Sequence, residues 1–66
     1  MPILTLSAMS KLIKEAGAQR VSNSAKVKLR KILEDKALEI SSEAIKFARY
    51  KGRLTVQDKD IEKALR

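Results

Sequence analysis

The sequence predicts an all-α fold of short helix, long central helix and short helix, completed by a second chain. Three observations carry that reading. An apolar stripe at helical spacing runs from Ser22 to Lys51 with no glycine or proline to break it. A helix of that length measures about 43 Å at ~1.5 Å per residue, whereas a compact chain of 66 residues has a diameter of roughly 28 Å. Finally, there is no cysteine and no histidine, so neither a disulfide nor a usual zinc site can staple so small a core. A second copy packed along the long helix is the staple that remains.

The first helix is expected from Leu6 or Ser7 to Ala16, where Met9, Leu12, Ile13 and Ala16 recur at spacings of three and four. Ser7 is the candidate N-cap, and Gly17 can take the left-handed conformation that ends a helix. Ala18 to Val21 then forms a loop. Ser22 caps the long helix, with Asn23 and Ser24 in its first turn. Along it Ala25, Leu29, Ile32, Leu33, Ala37, Ile40, Ala44, Phe47 and Ala48 trace one stripe, which Val27, Leu38 and Ile45 widen. An arc that wide must meet neighbours on more than one side. Gly52 ends the helix behind Arg49 and Lys51, which suit the negative end of its dipole. The β-branched pair Thr55 and Val56 predicts a short extended stretch over 53–56. A last helix begins near Gln57, supported by Asp58 and Asp60 at its positive end, turns Ile61, Ala64 and Leu65 inward, and stops at Arg66. Residues 1–66 read as one domain.

Charge indicates the partner. Fifteen Lys and Arg against eight Asp and Glu give +7, which calls for a polyanion, nucleic acid before an anionic membrane surface. The excess sits in one half. Residues 1–33 hold seven basic groups, Lys11, Lys14, Arg20, Lys26, Lys28, Arg30 and Lys31, against Glu15 alone, whereas residues 34–66 hold eight against seven. With 44% apolar residues the chain is not disordered by composition. Met1 to Ser10 lacks a basic leader, an apolar run of adequate length and a cleavage site, so the expected location is the cytoplasm.

Taken together, Ile13-Lys14-Glu15-Ala16-Gly17-Ala18-Gln19-Arg20-Val21-Ser22, Ile32-Leu33-Glu34, Ser42-Glu43-Ala44-Ile45-Lys46-Phe47-Ala48-Arg49, Gly52-Arg53-Leu54-Thr55-Val56 and Asp60-Ile61 closely resemble the minimal, tailless histones of archaea and some bacteria. The match extends from Met9 to Leu65 and is specific in order and spacing. It implies the histone fold, in which two chains clasp head to tail with their long helices crossing. It also implies a homodimer on double-stranded DNA, associated with the nucleoid or chromosome, with tetramers or longer assemblies as a further expectation.

The resemblance assigns DNA-binding roles. Helix N-termini at Ser7 and Ser22 offer unpaired backbone N–H groups to phosphate. Arg20 matches the family arginine that enters the minor groove, where negative potential is high, and Thr55 matches the second-loop threonine that bonds phosphate. Lys11, Lys14 and Lys26 are either phosphate contacts or solvated helix residues, and Lys28, Arg30 and Lys31 face too many directions for all to reach one duplex. Arg53 is grouped with the DNA contacts, yet its stronger reading is structural, as the family ion pair with Asp60 that fixes loop against helix. Leu54 stands where the family usually has a lysine, a gap that Lys46, Lys51 or Lys59 could fill. Ala16 and Gly17 match the small residues where stacked dimers approach, although a helix cap also explains Gly17.

Phe47, Tyr50, Asp60 and Lys63 match the dimer–dimer contact, with Tyr50 in place of a frequent histidine and able to donate to Asp60. Lys63 replaces an apolar residue, and two lysines near a two-fold axis repel unless an acid answers them. The leading expectation is an architectural protein that bends, wraps and compacts duplex DNA with little sequence preference. The alternatives are a histone-fold component of a heteromeric complex, which basicity without tails argues against, and edge-on coating of DNA without wrapping, which Leu54 and Lys63 keep open. No residue pattern supports catalysis, a metal or a cofactor; Glu39 and Glu43 are a solvated helix face. Two aromatics are too few for single-strand or RNA recognition, and the wide apolar arc does not suit a membrane-surface helix.

Overall fold

Thr5 opens the first helix in the computed structural model, which describes residues 2–65. Its Oγ1 accepts from the Ala8 N–H at 3.1 Å and its carbonyl from Met9 N–H, so α1 spans Leu6–Glu15 with Thr5 as N-cap. This corrects the expectation that Ser7 caps it. Capping two residues earlier brings Leu6 into register with Met9 and Ile13 on one helix face, and all three are at least half-buried. Leu12 and Ala16, expected on the inner face, are exposed. Ala16 is the C-cap, after which Gly17, at φ +119°, turns its N–H to Lys14 and lets Ala18 N–H reach Ile13. That is the paired-bond glycine stop.

α2 spans Asn23–Tyr50, 28 residues. Ser22 caps it, its Oγ accepting from Ala25 N–H at 3.1 Å and its carbonyl from Lys26 N–H at 3.2 Å. The far end repeats the glycine stop, with Gly52 at φ +73° donating to Arg49 at 2.8 Å and Arg53 N–H to Ala48 at 2.9 Å. α3 spans Asp58–Ala64 behind Gln57 as N-cap. Among the described residues there is no strand. The extended stretch expected over 53–56 is a bent loop instead, drawn in by a 3.1 Å bond from Arg53 Nη1 to the Thr55 carbonyl. Among the described residues no strand lies beside it to hold it extended, and the Arg53 bond sets its bend. Leu65 points outward rather than in, and the expected stop at Arg66 lies outside the described residues.

The chain divides into two compact units, Met1–Asp35 and Lys36–Arg66, and α2 contributes to both. In the first, Met9 is buried, with Leu4, Leu6, Ile13, Val21, Leu29 and Leu33 half-buried. Glu34 ties down the opening segment by accepting from the Leu4 N–H at 2.9 Å and from the Ile3 N–H. Those two backbone donors, Leu4 first, and the charge of Arg30 hold its carboxyl below the usual range. In the second unit Ala44 and Ala48 are buried, with Ile40, Phe47, Ile61 and Ala64 half-buried.

Among the described residues three buried apolar side chains, Met9, Ala44 and Ala48, make a thin core. Meanwhile Val27, Ile32, Leu38 and Ile45 of α2 are exposed, Leu38 by 63%. Ala25 and Ala37 of the expected inner stripe are exposed too. Each unit keeps unmet apolar surface of the kind that marks an interaction face.

Candidate functional site

The site-bearing part of the first unit is built from three adjoining pieces: the end of α1, the loop 18–21 and the first turns of α2. Lys11 and Lys14 lie on α1, Arg20 in the loop, and all three are exposed. Ser22 follows at the α2 N-terminus, where its Oγ is 3.2 Å from the Ser24 Oγ. Lys26, one turn on, is half-buried. Ala16 and Gly17 are exposed at the turn between α1 and the loop.

Electrostatics set these helix starts apart. Neither α1 nor α2 carries an acid in its first turn, whereas α3 carries Asp58 and Asp60. The positive end of the α2 dipole is therefore uncompensated within its own first turn, and an anion is stabilised there, whereas at α1 the Glu34 carboxylate already sits on the Ile3 and Leu4 N–H groups just before the Thr5 cap. Not every cation nearby is equally available. Lys31 is paired with Asp35 at 3.2 Å, and Arg30 is half-buried and near Glu34. Lys28 is exposed.

The second unit places Arg53 and Asp60 together in a two-pronged pair, Nη1 to Oδ2 at 2.9 Å and Nη2 to Oδ1 at 3.1 Å. Asp60 is 1% exposed, and its Oδ2 also accepts from the Gln57 N–H at 2.8 Å. The carboxyl is held below its usual range by the Arg53 bonds first, then by the Gln57 N–H and the charges of Arg53 and Lys63. The same contact raises the Arg53 value. Arg53 also holds the Thr55 carbonyl. Its guanidinium is thus committed inside the chain, where it shapes the loop that carries exposed Thr55. Leu54 is exposed beside it.

Further along the unit, Glu43, Lys46, Phe47, Tyr50, Lys51 and Lys63 line a cleft of about 470 Å³. Tyr50 is 85% exposed, and no bond joins it to Asp60, whose oxygens are taken by Arg53 and Gln57. Lys63 Nζ lies 6.0 Å from the Phe47 ring centroid, and Lys46 Nζ is 3.1 Å from Glu43.

Two roles escaped sequence reasoning. Glu34 as the anchor of residues 3 and 4 has no signal in spacing. The reach of Asp60 back to the start of α3 does have one, because Gln57-x-x-Asp60 has the spacing of a reciprocal helix cap.

Among the described residues no helix is long and apolar enough to cross a membrane, and no cluster of acidic side chains could hold a metal ion. Residues 3–65 match the model of the histone-like transcription factor (CBF/NF-Y) and archaeal histone family. The chain is 40% identical over 63 residues to one of the subunits of archaeal histone HAN1 from Thermococcus zilligii, covering 96% of this chain and 94% of that one. It is 38% identical over 63 residues, with the same coverage, to probable archaeal histone 3 of Methanocaldococcus jannaschii.

Proposed function

This chain belongs to the histone-like transcription factor (CBF/NF-Y) and archaeal histone family, and we propose from that premise that it is a DNA-binding architectural protein rather than an enzyme, acting as a homodimer on double-stranded DNA. Residues 1–66 then act as one histone-fold domain. The exposed Val27, Ile32, Leu38 and Ile45 become the face that a second copy covers.

The observation that carries the DNA reading is the charge of the first half, seven cations against one acid, with Lys11, Lys14, Arg20 and Lys26 spread over the end of α1, the first loop and the start of α2, whose first turn has no acid. Contacts of this kind go to phosphate and groove shape, so sequence preference is low. In the dimer the first loop of one chain lies beside the second loop of the other. Arg20 enters the minor groove there, Thr55 bonds phosphate, and Arg53 serves by holding the Thr55 loop. Helix N-termini, that of α2 at Ser22 among them, offer backbone N–H groups to phosphate, with Lys11, Lys14 and Lys26 as further backbone contacts. Such a dimer bends duplex DNA, and adjoining dimers wrap and compact it on the chromosome.

Sedimentation of the protein with duplexes of graded length, at two salt concentrations, tests this. The expected result is a dimer that adds in steps of fixed length, compacts the complex and dissociates as salt rises. Loading without compaction would replace wrapping by coating, and a chain that neither dimerises nor binds would refute the reading. Arg20→Ala, which removes two charges per dimer, should weaken binding, reduce bending and lower the salt slope by roughly 2. An unchanged slope and unchanged DNA shape would remove Arg20 from the interface.

A further inference from the structure

The cleft at the end of α2 has a lining that is poorly suited to meeting itself. Phe47 and Tyr50 give it aromatic surface, and Tyr50 is left almost wholly in solvent. Phe47 is half-buried, and aromatic rings in a concave site are the usual anchors of a protein interface. Around them stand Lys46, Lys51 and Lys63, and the one acid of the lining, Glu43, is already engaged by Lys46. Asp60 makes no bond to Lys63, because both its oxygens are held by Arg53 and the Gln57 N–H, and its charge is already balanced by Arg53. A two-fold contact between copies presents the same patch from both sides, so a lining of three lysines and one acid would meet an equally basic lining. Like charges so placed are how an interface rejects a partner.

We propose that this cleft docks an acidic, apolar-faced helix of a different chain, and that its lysines keep a second dimer of this chain out. An apolar side chain of the partner meets Phe47 and Tyr50, and carboxylates meet Lys46, Lys51 and Lys63. Duplex DNA fits less well, since backbone phosphates give the exposed aromatic rings nothing to pack on. The inference rests on the dimer reading above but fails separately from it.

A charge-reversed copy of the same chain, carrying Lys46→Glu, Lys51→Glu and Lys63→Glu, is the first probe. Sedimentation at low salt should show the native protein alone, and the variant alone, stopping at the dimer, while an equimolar mixture forms larger species that salt dissolves. Native protein that associates further by itself through a Tyr50-to-Tyr50 cross-link would overturn the proposal, as would a mixture that does not associate. If the native chain is monomeric yet still pairs with the variant, the cleft stands and the dimer reading falls.

The second probe needs no altered fold. Tyr50 is the only tyrosine and there is no tryptophan, so its fluorescence reports on the cleft alone. A synthetic amphipathic helix of about 18 residues, five turns, with leucine and phenylalanine on one face and glutamate elsewhere, should change that signal. Lys63→Glu should weaken this binding by roughly tenfold or more, and a lysine-for-glutamate peptide should leave the signal unchanged. A short duplex that changes the Tyr50 signal when the acidic peptide does not would assign the cleft to DNA and overturn the proposal.

Discussion

Two substitutions at Ser22 separate what the α2 N-terminus does for the fold from what it does for DNA. Ser22 Oγ accepts from Ala25 N–H at 3.1 Å, and the first turn of α2 holds no acid. Ser22→Ala removes the cap, which costs about 1 kcal/mol per chain. A chain of 66 residues at ~2.1 cal/mol/K per residue unfolds with an entropy of about 0.14 kcal/mol/K, so the melting temperature should fall by roughly 7 °C. Dimerisation doubles both quantities and leaves the shift the same. Ser22→Asp caps as well as serine and gains about 0.3–1 kcal/mol from the helix dipole, so it should melt at or slightly above the native temperature. On duplex DNA the order reverses. The aspartate sets a negative charge at each proposed phosphate site, two per dimer, and should lower the salt slope by roughly 2 and the affinity by about tenfold or more, whereas Ser22→Ala loses only a hydroxyl. Circular-dichroism melts at one fixed chain concentration, required because a dimer's Tm depends on it, and anisotropy of a labelled duplex read the two effects. Native affinity and slope in Ser22→Asp would show that this helix start does not face phosphate; a native melt in Ser22→Ala would show that Ser22 is not the cap.

The two helix-ending glycines should differ in tolerance. A Cβ would meet no atom within 4 Å at either Gly17 or Gly52, so the cost of alanine is conformational, about 1–2 kcal/mol at the left-handed φ of +73° and more at +119°. Gly52→Asn should be milder than Gly52→Ala, and the reverse ranking in thermal melts would reject the argument. Asp60 makes stability depend on acid: its folded pKa is depressed, so its contribution is complete above the unfolded value of about 3.9 and is lost as pH falls through the folded value. Asp60→Asn should therefore be less stable at neutral pH and flatter below about pH 4, and a variant with the native acid slope would place that slope elsewhere. Leu38→Glu, at a 63% exposed position, should leave the chain monomeric with weakened helix content by sedimentation and circular dichroism; an intact dimer would remove Leu38 from the proposed interface.

Features that depend on a few adjacent residues were legible in the sequence. Ser22 as cap and Gly17 and Gly52 as helix stops follow from local backbone chemistry, and the structure shows all three. The start of α1 was ambiguous because Thr5 and Ser7 both carry hydroxyls and flank Leu6. Packing of Leu6 decides between them, and packing is not local. The 53–56 loop failed for a related reason: β-branched residues favour extension only where a second strand exists, and in this chain Arg53 bends the loop instead. Glu34 was illegible because its role depends on the first residues folding back onto α2.

How the charges are used inside the chain links its stability to its function. Of the seven acids of residues 34–66, Asp60 is spent on Arg53 and Glu43 on Lys46, while Asp35 answers Lys31 and Lys11, Lys14 and Arg20 of the first half have only Glu15 as an acid of residues 1–33. Self-repulsion among unpaired cations destabilises a compact chain, and this chain has a thin core with which to resist it. In the proposed homodimer a second copy supplies the missing apolar contact, but it also doubles the net charge. Polyanion binding would relieve that repulsion most in the assembled form, where both sets of cations reach one duplex. DNA therefore acts as a ligand of the dimer and stabilises it by mass action, by about 2.7 kcal/mol when free duplex exceeds its Kd a hundredfold. On this logic the surplus of lysine and arginine is a weakness of the free protein that becomes a source of stability on the chromosome.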